Sequence, residues 1–488
     1  MTLPQTLTSI GQSAFHTCPA LQTIDIPESV SDIGEGAFYG CSALAAIRLP
    51  EGMTAIKTSL FNSCSQLQSV NIPASVTSIG YAAFAGTAIT SVSLSDNITT
   101  LEQNAFSGCE NLKYARLPDG LTEISDWLFV GCTNLEMPVI PASVTKIGYM
   151  AFSCCHAIKS VTIPASVTSI GEDAFNYDTG LESVSIQGAV TEIGNGAFGS
   201  CLMLTDITVS PDNTSFTSKD GILFSKDEKT LICYPAGKTA TSYAVPSQVT
   251  TLENSFQGCS ALTSVTLPQG LTTIGARTFS GCNSLTGITI PESVTSIEAA
   301  AFAGCKAMAH ANIPHGVTSI GFNAFSYCEA LTSIYIPSSV TSLGGFTFDQ
   351  CKALKSVTLP ASLSSAEAWN SNNFLGCLAL EEVNYPAEHP AECAMQFSDE
   401  TYASATLYVP ASALEEARST PCWSNFANIE GRDFSAVESP AVNSMAVTDA
   451  PMEIHTISGI RVAGTIDTLA PGIYIVRQGA SVRKIAVN

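Results

Sequence analysis

Cysteine is the residue type in this chain with the widest chemistry, because thiols can bind metals, form disulfides or act as nucleophiles. The sequence contains 17 cysteines. A metal site needs clustered ligands such as C-x-x-C, and the nearest approach to such a cluster is Cys154-Cys155-His156. An odd count also excludes a framework in which every cysteine is paired within the chain. These spacings indicate no metal site, and they leave open whether any cysteines form disulfides.

Most of the cysteines occupy one position of a repeat that is 23 residues long. Such regularity favours a packing role, in which each thiol is a small buried apolar group. Thr87 and Asp178 fill the same position in two other repeats, which suits packing better than redox chemistry. The cysteines at this position are Cys18, Cys41, Cys64, Cys109, Cys132, Cys155, Cys201, Cys259, Cys282, Cys305, Cys328, Cys351 and Cys377.

Acidic pairs are the other candidates for chemistry, since two carboxyl groups about 5 to 9.5 Å apart can hydrolyse a glycosidic bond. Glu415-Glu416 falls on a predicted helix and Glu381-Glu382 on a predicted strand, and consecutive side chains diverge on both elements. The sequence has no H-E-x-x-H, G-x-S-x-G or glycine-rich phosphate loop. We predict that the protein is not an enzyme and uses no cofactor or metal, with glycan or peptide hydrolysis as the disfavoured alternative.

The charge balance excludes two classes of partner. Twenty Lys and Arg against 42 Asp and Glu give a formal net charge of −22, which repels nucleic-acid phosphates and anionic lipid headgroups. No stretch approaches the roughly 18 to 20 consecutive apolar residues of a membrane helix. We therefore expect no nucleic-acid binding and no membrane insertion.

The elements that position these residues come from one repeated unit, L-x-x-V-x-I-P-x-x-V-T-x-I-G-x-x-A-F-x-x-C. Its first part predicts a short strand, which ends at the proline because proline has no N–H to donate. One unit cannot bury enough apolar surface to fold alone, so neighbouring units must stack. The fold class predicted is a repeat solenoid, a leucine-rich-repeat-like, β-rich, right-handed arc of about fifteen 23-residue rungs.

Every repeat contains a phenylalanine at the same position. Rungs about 4.8 Å apart bring such rings within the roughly 4.5 to 7 Å at which aromatic rings stack. We predict a continuous phenylalanine spine through the solenoid. Its members are Phe15, Phe38, Phe61, Phe84, Phe106, Phe129, Phe152, Phe175, Phe198, Phe256, Phe279, Phe302, Phe325, Phe348 and Phe374.

Breaks in the repeat divide the chain into segments. Two predicted strands, Ile222-Leu-Phe-Ser225 and Thr230-Leu-Ile-Cys-Tyr234, form a hairpin that protrudes from the solenoid wall. Near the end of the repeats, Ser412 is expected to cap a short helix. The predicted segments are a solenoid over 1–430, containing a β-hairpin insertion over 211–245 and a C-terminal cap over 386–430, then a linker over 431–450 and a small β module over 451–488.

The motif at Ile163-Pro164, Val167-Thr-Ser-Ile-Gly171 and Ala174-Phe175 resembles the BspA-like leucine-rich repeat family of bacterial surface proteins. Through Ser458-Gly459 and Leu469-Ala-Pro-Gly-Ile-Tyr474, the C-terminal module is similar to the sorting domains of type IX-secreted proteins. These resemblances imply a secreted or outer-membrane surface protein that binds host or bacterial macromolecules. Because the chain enters directly into a repeat, we expect that a signal peptide has been trimmed from it.

Outward residues of the predicted strands line one long face, and most are Ser or Thr, which suit a strand surface without requiring a ligand. Aromatic, cationic and apolar residues that depart from this pattern are the candidate contact residues. Chance drift of a repeated surface is the alternative explanation. The first candidate patch contains Tyr114, Arg116, Met137 and Val139, and the second contains His310, Asn312 and Tyr335.

The sequence therefore predicts a non-catalytic adhesion protein that acts as a monomer. Its partners are expected to be protein or glycan macromolecules of host or bacterial surfaces, bound through the solenoid face. A long face suits large partners, because many weak contacts can add to useful avidity. The alternative is a passive spacer of the cell envelope that has no defined ligand.

Overall fold

The computed structural model describes residues 1–363, 372–393 and 396–434, together with the backbone of four strands near the C-terminus. It is a parallel β-solenoid of about 18 turns with about 23 residues in each rung and little helix, which confirms the predicted fold class. The turns outnumber the repeats because the insertion and the cap add turns that lack the repeat motif. Residues 435–450 of the predicted linker lie outside the described residues.

One side of the solenoid is formed by strands of three or four residues, which we call the face strands. Their residues alternate between the core and the outside, as the repeat predicts: Val92 is buried between exposed Ser91 and Ser93. The face strands form six parallel sheets of two to five strands, and within each sheet neighbouring strands pair in parallel. The face strands are Ala46–Arg48, Ser69–Asn71, Ser91–Ser93, Tyr114–Arg116, Ser160–Ile163, Ser183–Ile186, Asp206–Val209, Ser242–Ala244, Ser264–Thr266, Gly287–Thr289, His310–Asn312, Ser333–Tyr335, Ser356–Thr358, Glu382–Asn384, Thr406–Val409 and Asn428–Gly431.

A second side is formed by two-residue strands, which we call the short strands. The second residue of each is a β-branched or leucine side chain that points into the core, since the V-T-x-I part of the repeat continues the alternation. The short strands are Ser9–Ile10, Asp32–Ile33, Ala55–Ile56, Ser78–Ile79, Thr100–Leu101, Glu123–Ile124, Lys146–Ile147, Ser169–Ile170, Glu192–Ile193, Thr251–Leu252, Thr273–Ile274, Ser296–Ile297, Ser319–Ile320 and Ser342–Leu343.

The phenylalanine spine is present in two runs, one from Phe15 to Phe198 and one from Phe256 onward, which lie on either side of the insertion. Neighbouring rings stack with centroids 5.0 to 5.7 Å apart. Beyond Phe374 the spine extends to Phe397. At the insertion the ring of Tyr234 stacks on Phe256 at 5.4 Å. The spine therefore runs through elements in which the repeat motif is absent.

The pairing of the short strands is interrupted at several points, one of which lies between the strands that end at Leu101 and Ile124. In most paired rungs glycine follows the short strand and permits close approach: a Cβ added at Gly148 would lie 2.6 Å from the Asp126 backbone nitrogen. Glu102 and Glu298 take this position in two other rungs that remain paired. Ser125 occupies this glycine position. Its hydroxyl donates to the Leu101 carbonyl, the acceptor that a backbone N–H takes in intact rungs. The serine hydroxyl therefore takes the place of a backbone hydrogen bond where these two short strands are unpaired.

The insertion contains three antiparallel strands, Phe216–Lys219, Ile222–Ser225 and Thr230–Cys233. The last two form the predicted hairpin, and the first is an addition. The third strand also pairs in parallel with Thr251–Leu252, so it continues the short strands of the solenoid. The expectation that the hairpin protrudes is wrong, because apolar side chains such as Leu223 are buried in the core.

The cap contains short helices between its strands. Ser398 caps the first of them, since its hydroxyl accepts the Thr401 N–H at 3.4 Å. The predicted cap at Ser412 is wrong, because its hydroxyl donates to the Glu388 carboxylate instead. The α-helices are Asp399–Ser404 and Leu414–Ala417, and the 3-10 helices are Ala411–Ala413 and Trp423–Asn425.

An aromatic seal and a disulfide hold the cap to the last rungs. The buried Trp423 ring stacks on Tyr385 at 4.6 Å, and its indole N–H donates to a backbone carbonyl. Cys393 and Cys422 form a disulfide, with Cα atoms 5.8 Å apart. The cap thus differs from the rungs, whose cysteines are free thiols.

The described C-terminal strands form an antiparallel sheet in which Met452–Thr456 pairs with Arg461–Val462 on one side and with Gly472–Gln478 on the other. In sheet order the strands are Arg461–Val462, Met452–Thr456, Gly472–Gln478 and Ser481–Val487.

Candidate binding face

The first candidate patch is centred on the face strand Tyr114–Arg116. Both end residues of this strand are exposed, and Tyr114 is 53% exposed. The Lys113 ammonium lies 5.1 Å from the centre of the Tyr114 ring, close enough for a cation–π interaction. The strand therefore presents an aromatic ring between two cationic side chains.

Internal contacts hold the guanidinium of Arg116 in place. It donates to both carboxylate oxygens of Asp96, at 2.8 and 2.9 Å, and to the Leu94 carbonyl at 2.5 Å. The backbone N–H of Asp119 and the Arg116 guanidinium together lower the pKa of Asp96 below its ordinary value. The cation is thus fixed in one position and keeps part of its surface exposed.

Met137 and Val139 lie on the next rung, where Pro138 replaces a strand residue and no strand forms among residues 137–139. Val139 is 86% exposed. Met137, by contrast, is half-buried and packs against the core. The exposed part of the first patch therefore consists of Tyr114, Arg116 and Val139.

The second candidate patch spans the face strands His310–Asn312 and Ser333–Tyr335. His310 is exposed, whereas Asn312 and Tyr335 are half-buried. The Tyr335 ring meets His315 edge-on at 6.4 Å. Tyr335 also borders a cavity of about 60 Å³ that Phe434 shares.

An unpredicted cluster lies on the face beyond this patch, around Arg432. Its guanidinium carbon lies 3.3 Å from the centre of the Tyr408 ring. The same group donates to Asn384 at 2.5 Å and to both carboxylate oxygens of Glu382, at 3.1 and 3.4 Å. A signal was present in the sequence, because Glu, Asn and Tyr replace Ser and Thr on two successive rungs.

A groove of about 320 Å³ lies where Ser125 separates the short strands. Carboxylates line it, but they already accept backbone N–H groups: Glu102 accepts from Tyr81 at 2.7 Å and Asp126 from Tyr149 at 2.9 Å. Among the described residues, no group of three or more His, Cys, Asp or Glu side chains could hold a metal ion. These carboxylates serve the backbone of neighbouring rungs.

A sequence profile of the BspA type leucine-rich repeat region matches most of the solenoid, in six copies. The chain belongs to the BspA-type leucine-rich repeat family. This confirms the resemblance predicted from the motif for the solenoid. A comparison with curated proteins found no match. The matched residues are 1–113, 99–221, 236–344 and 272–401.

Three solved structures are similar to this BspA-type chain. A leucine-rich repeat protein from Bacteroides ovatus is 28% identical, with a TM-score of 0.42 over 69% of this chain and 86% of that one. A leucine-rich cell surface protein from Faecalibacterium prausnitzii is 25% identical, with a TM-score of 0.46 over 79% and 86%. The pneumococcal vaccine antigen PcpA is 19% identical, with a TM-score of 0.45 over 80% and 89%.

The repeated cysteines of this BspA-type protein pack as a column inside the rungs. The thiol of Cys282 lies 3.2 Å from the Phe256 carbonyl one rung earlier, and the same contact recurs along the column. Burial raises the pKa of the Cys282 and Cys328 thiols to about 12. These sulfurs are therefore protonated at neutral pH and poorly suited to nucleophilic chemistry.

Exposed apolar side chains on the turns were not singled out from the sequence. They follow the glycine, phenylalanine or cysteine positions of the repeat, where the chain bends away from the core. No helix among the described residues has the length and apolar content to cross a membrane. The exposed turn residues are Tyr81, Tyr177, Leu202, Met203, Phe322, Tyr327, Leu375 and Leu378.

Proposed function

We propose that the protein is a non-catalytic, secreted or surface-displayed adhesion protein that binds macromolecules through its face strands. The observation that carries this proposal is the register of the face, in which equivalent outward residues of successive strands lie side by side, as Ser160, Ser183 and Asp206 do. A large partner can contact many rungs at once, and weak contacts then add to useful avidity. The partners we propose are proteins or glycans of host or bacterial surfaces, bound by a monomer.

The contact residues that we propose first are Tyr114, Arg116 and Val139. Aromatic and arginine side chains provide much of the binding energy in protein interfaces. Because Asp96 already holds Arg116 in place, little side-chain entropy is lost when a partner binds. The second set proposed is His310, Asn312 and Tyr335.

Several observations support a non-catalytic role. Catalysis needs unlike ionisable groups that converge on a substrate within an enclosed site. Most Lys and Arg side chains of the described solenoid pair with a carboxylate, often on a neighbouring rung, as Lys113 does with Glu136 and Lys355 with Glu381. Burial raises the pKa of column thiols such as Cys259 and Cys282. The repeated arrangement thus provides regularly spaced, paired charges on an open surface.

Binding to immobilised extracellular-matrix proteins and to a glycan array tests the proposal. For any partner found, replacing Tyr114 and Arg116 with Ser is expected to reduce retention at least tenfold. The matched control replaces Tyr327 and Lys352 on the turns, since that tyrosine is 49% exposed and that lysine pairs with a carboxylate as Arg116 does. Retention unchanged by the first pair of substitutions would remove this patch from the proposal.

Failure of the wild-type protein to retain any protein or glycan would favour a passive envelope spacer instead. Incubation with polymeric glycans and proteins, followed by mass spectrometry of released fragments, tests the absence of catalysis. Fragment release that persists in highly purified protein would contradict the non-catalytic role.

We also propose that residues 451–488 form a sorting module that directs the protein to the cell surface, joined to the solenoid by the part of the predicted linker that follows Phe434. Its antiparallel strands and its resemblance to type IX sorting domains support this proposal. Deleting residues 451–488 is expected to move the protein from the surface fraction to the periplasm. An unchanged distribution in fractionated cells would show that the module does not sort.

A further inference from the structure

The strand face is not equally accessible along its length. On most central rungs the outward residues are exposed, as at Thr162 and Thr266, although Ser183 and Ser185 are half-buried. Toward the C-terminal end, Thr358 is half-buried and Asn384 is only 5% exposed, although both occupy the same outward position. The last rungs of the face are therefore covered.

The chain itself provides part of the cover, directly after the last face strand, Asn428–Gly431. The backbone N–H of Arg432 still bonds to the Val409 carbonyl at 2.8 Å, which continues the pairing of that strand. The Arg432 side chain then turns back across two rungs, over Tyr408 to Asn384 and Glu382. Two residues later, Phe434 borders the cavity that also includes Tyr335.

Arg432 contacts the face through the kinds of interaction by which proteins bind an arginine side chain of a partner. A planar guanidinium stacks on an aromatic ring while its N–H groups donate to a carboxylate and an amide, an arrangement that ammonium groups fit less well. Beside it, the Phe434 side chain borders a cavity together with Ile336, Pro360 and Pro386, and such apolar neighbours suit an aromatic ring. The two subsites together therefore fit a peptide segment in which a cationic residue and an aromatic residue are separated by one residue.

We propose that Glu382, Asn384 and Tyr408, with the cavity at Tyr335, form a binding site for a segment of the pattern arginine, any residue, aromatic. Residues 432–434 occupy this site in the same chain and compete with partner segments of that chemistry. The proposal builds on the proposed binding role of the face, and it names the peptide chemistry that one end of the face accepts. It also accounts for part of the cover over Tyr335, the member of the second candidate patch that borders the cavity.

The test uses the full chain and a fluorescein-labelled peptide with the sequence of residues 430–434, so it requires no natural partner. Fluorescence anisotropy measures peptide binding to the wild type and to a variant carrying Arg432→Ala and Phe434→Ala. We expect saturable binding to the variant and at least tenfold weaker binding to the wild type. Adding Glu382→Ala to the open variant is expected to remove the binding.

Two controls keep the outcome interpretable. Arg418→Ala removes another exposed arginine, paired with Glu415, and should leave peptide binding as in the wild type. A peptide of the same composition with Arg and Phe adjacent should not bind the open variant. The single variants Arg432→Ala and Phe434→Ala each open half of the site and should bind with intermediate affinity.

Three results would overturn the proposal. One is no saturable binding to any open variant that keeps the wild-type circular dichroism and melting temperature, which would leave Arg432 a purely structural role. The second is equal binding to the wild type and the double variant. The third is binding of the scrambled peptide. None of these results bears on whether Tyr114 and Arg116 contact a natural partner.

Discussion

The rungs from Phe279 to Phe348 and those from Phe106 to Phe198 share one repeat, but they differ in regularity. In the first run, four short strands pair without a break. In the second run, Ser125 interrupts that pairing and Asp178 takes a place in the cysteine column. The spine spacing nevertheless remains 5.3 to 5.7 Å in the second run, against 5.0 to 5.4 Å in the first.

Equivalent positions of successive rungs form columns that run along the solenoid, such as the spine, the cysteines and the short strands. This comparison shows that a substitution in one column leaves the contacts of the other columns intact. Ser125 disrupts the short strands, yet on the same two rungs the Phe106 N–H still bonds to the Leu128 carbonyl at 3.1 Å. Each rung contacts its neighbours through several columns at once. A departure at one position therefore costs the contacts of its own column and leaves the rung in register.

The largest expected effect is on the spine itself. Phe175 is fully buried and stacks on Phe152 and Phe198. Phe175→Ala should lower the free energy of unfolding by about 3 to 5 kcal/mol, because it removes a buried ring and leaves a cavity. Urea denaturation followed by circular dichroism measures this loss.

Phe302→Ala, in the regular run, should cost the same within about 1 kcal/mol if the spine is independent of the short strands. Phe322→Ala serves as the surface control, since that ring is 51% exposed, and should change stability by less than about 0.5 kcal/mol. A much smaller loss for Phe175→Ala than for Phe302→Ala would show that the irregular run is loosely packed.

The cap and the rungs should differ in their thiol chemistry. Replacing Cys393 and Cys422 with Ser opens a loop of 29 residues, which the chain-entropy estimate values at about 3 to 4 kcal/mol. We expect the cap to become sensitive to limited proteolysis while the rungs stay resistant. In the native protein, alkylation should label the half-buried Cys18 and Cys154 before the buried column. Detection of two further reactive thiols without reductant would exclude the disulfide.

Asp178 should make the irregular run sensitive to pH. One of its carboxylate oxygens accepts the Cys155 N–H at 2.6 Å, and the other is buried without a hydrogen-bond partner. Burial raises the pKa of this carboxyl well above its ordinary value. The folded state therefore binds the proton more tightly than the unfolded state, so this group stabilises less as pH rises.

Asp178→Cys restores the column and is expected to raise the free energy of unfolding at pH 7 by about 1 to 3 kcal/mol, the cost of an unpaired buried polar atom. The gain should shrink as pH falls toward the unfolded pKa of about 3.9. Thr87→Cys is the matched control without a titrating group, because the Thr87 hydroxyl donates to Phe84 at 2.9 Å. A variant less stable than the parent at pH 7 would contradict this account.

The smallest effect concerns the separated rungs. Ser125→Gly should let the short strands close and add about 0.5 to 1.5 kcal/mol per hydrogen bond gained, partly offset by the flexibility of glycine. Hydrogen exchange should show new protection at the amide of Thr122. The reverse change, Gly148→Ser, should open an intact pair of rungs and remove protection at Thr145. Unchanged exchange in both variants would mean that side chains at this position do not control the spacing.

Contacts between neighbouring rungs were largely predictable from the sequence. Phe175 and its spine partners lie 23 residues apart, so the repeat length alone places them on adjacent turns. The packing role of the cysteines followed in the same way. The position of Met137 did not, because Pro138 prevents the strand whose alternation was used to predict exposure.

Contacts that do not follow the repeat length needed the tertiary structure. Arg277 donates to Asp173 at 3.0 Å across 104 residues. The two residues come close because the rungs on the two sides of the insertion contact each other, as the hydrogen bond from the Ser200 N–H to the Gln257 carbonyl shows. Arg432 reaches Glu382 across 50 residues.

The spacing of one 23-residue unit was enough to determine the solenoid, its spine and its outward face, since every stacking contact repeats the same local geometry. The cap disulfide, the separated rungs at Ser125 and the covered end of the face were decided only in three dimensions. The disulfide and the covered end depend on where a non-repeating segment packs against the rungs, and the repeat length carries no information about that path. The separation at Ser125 depends on the hydrogen bond that one side chain forms.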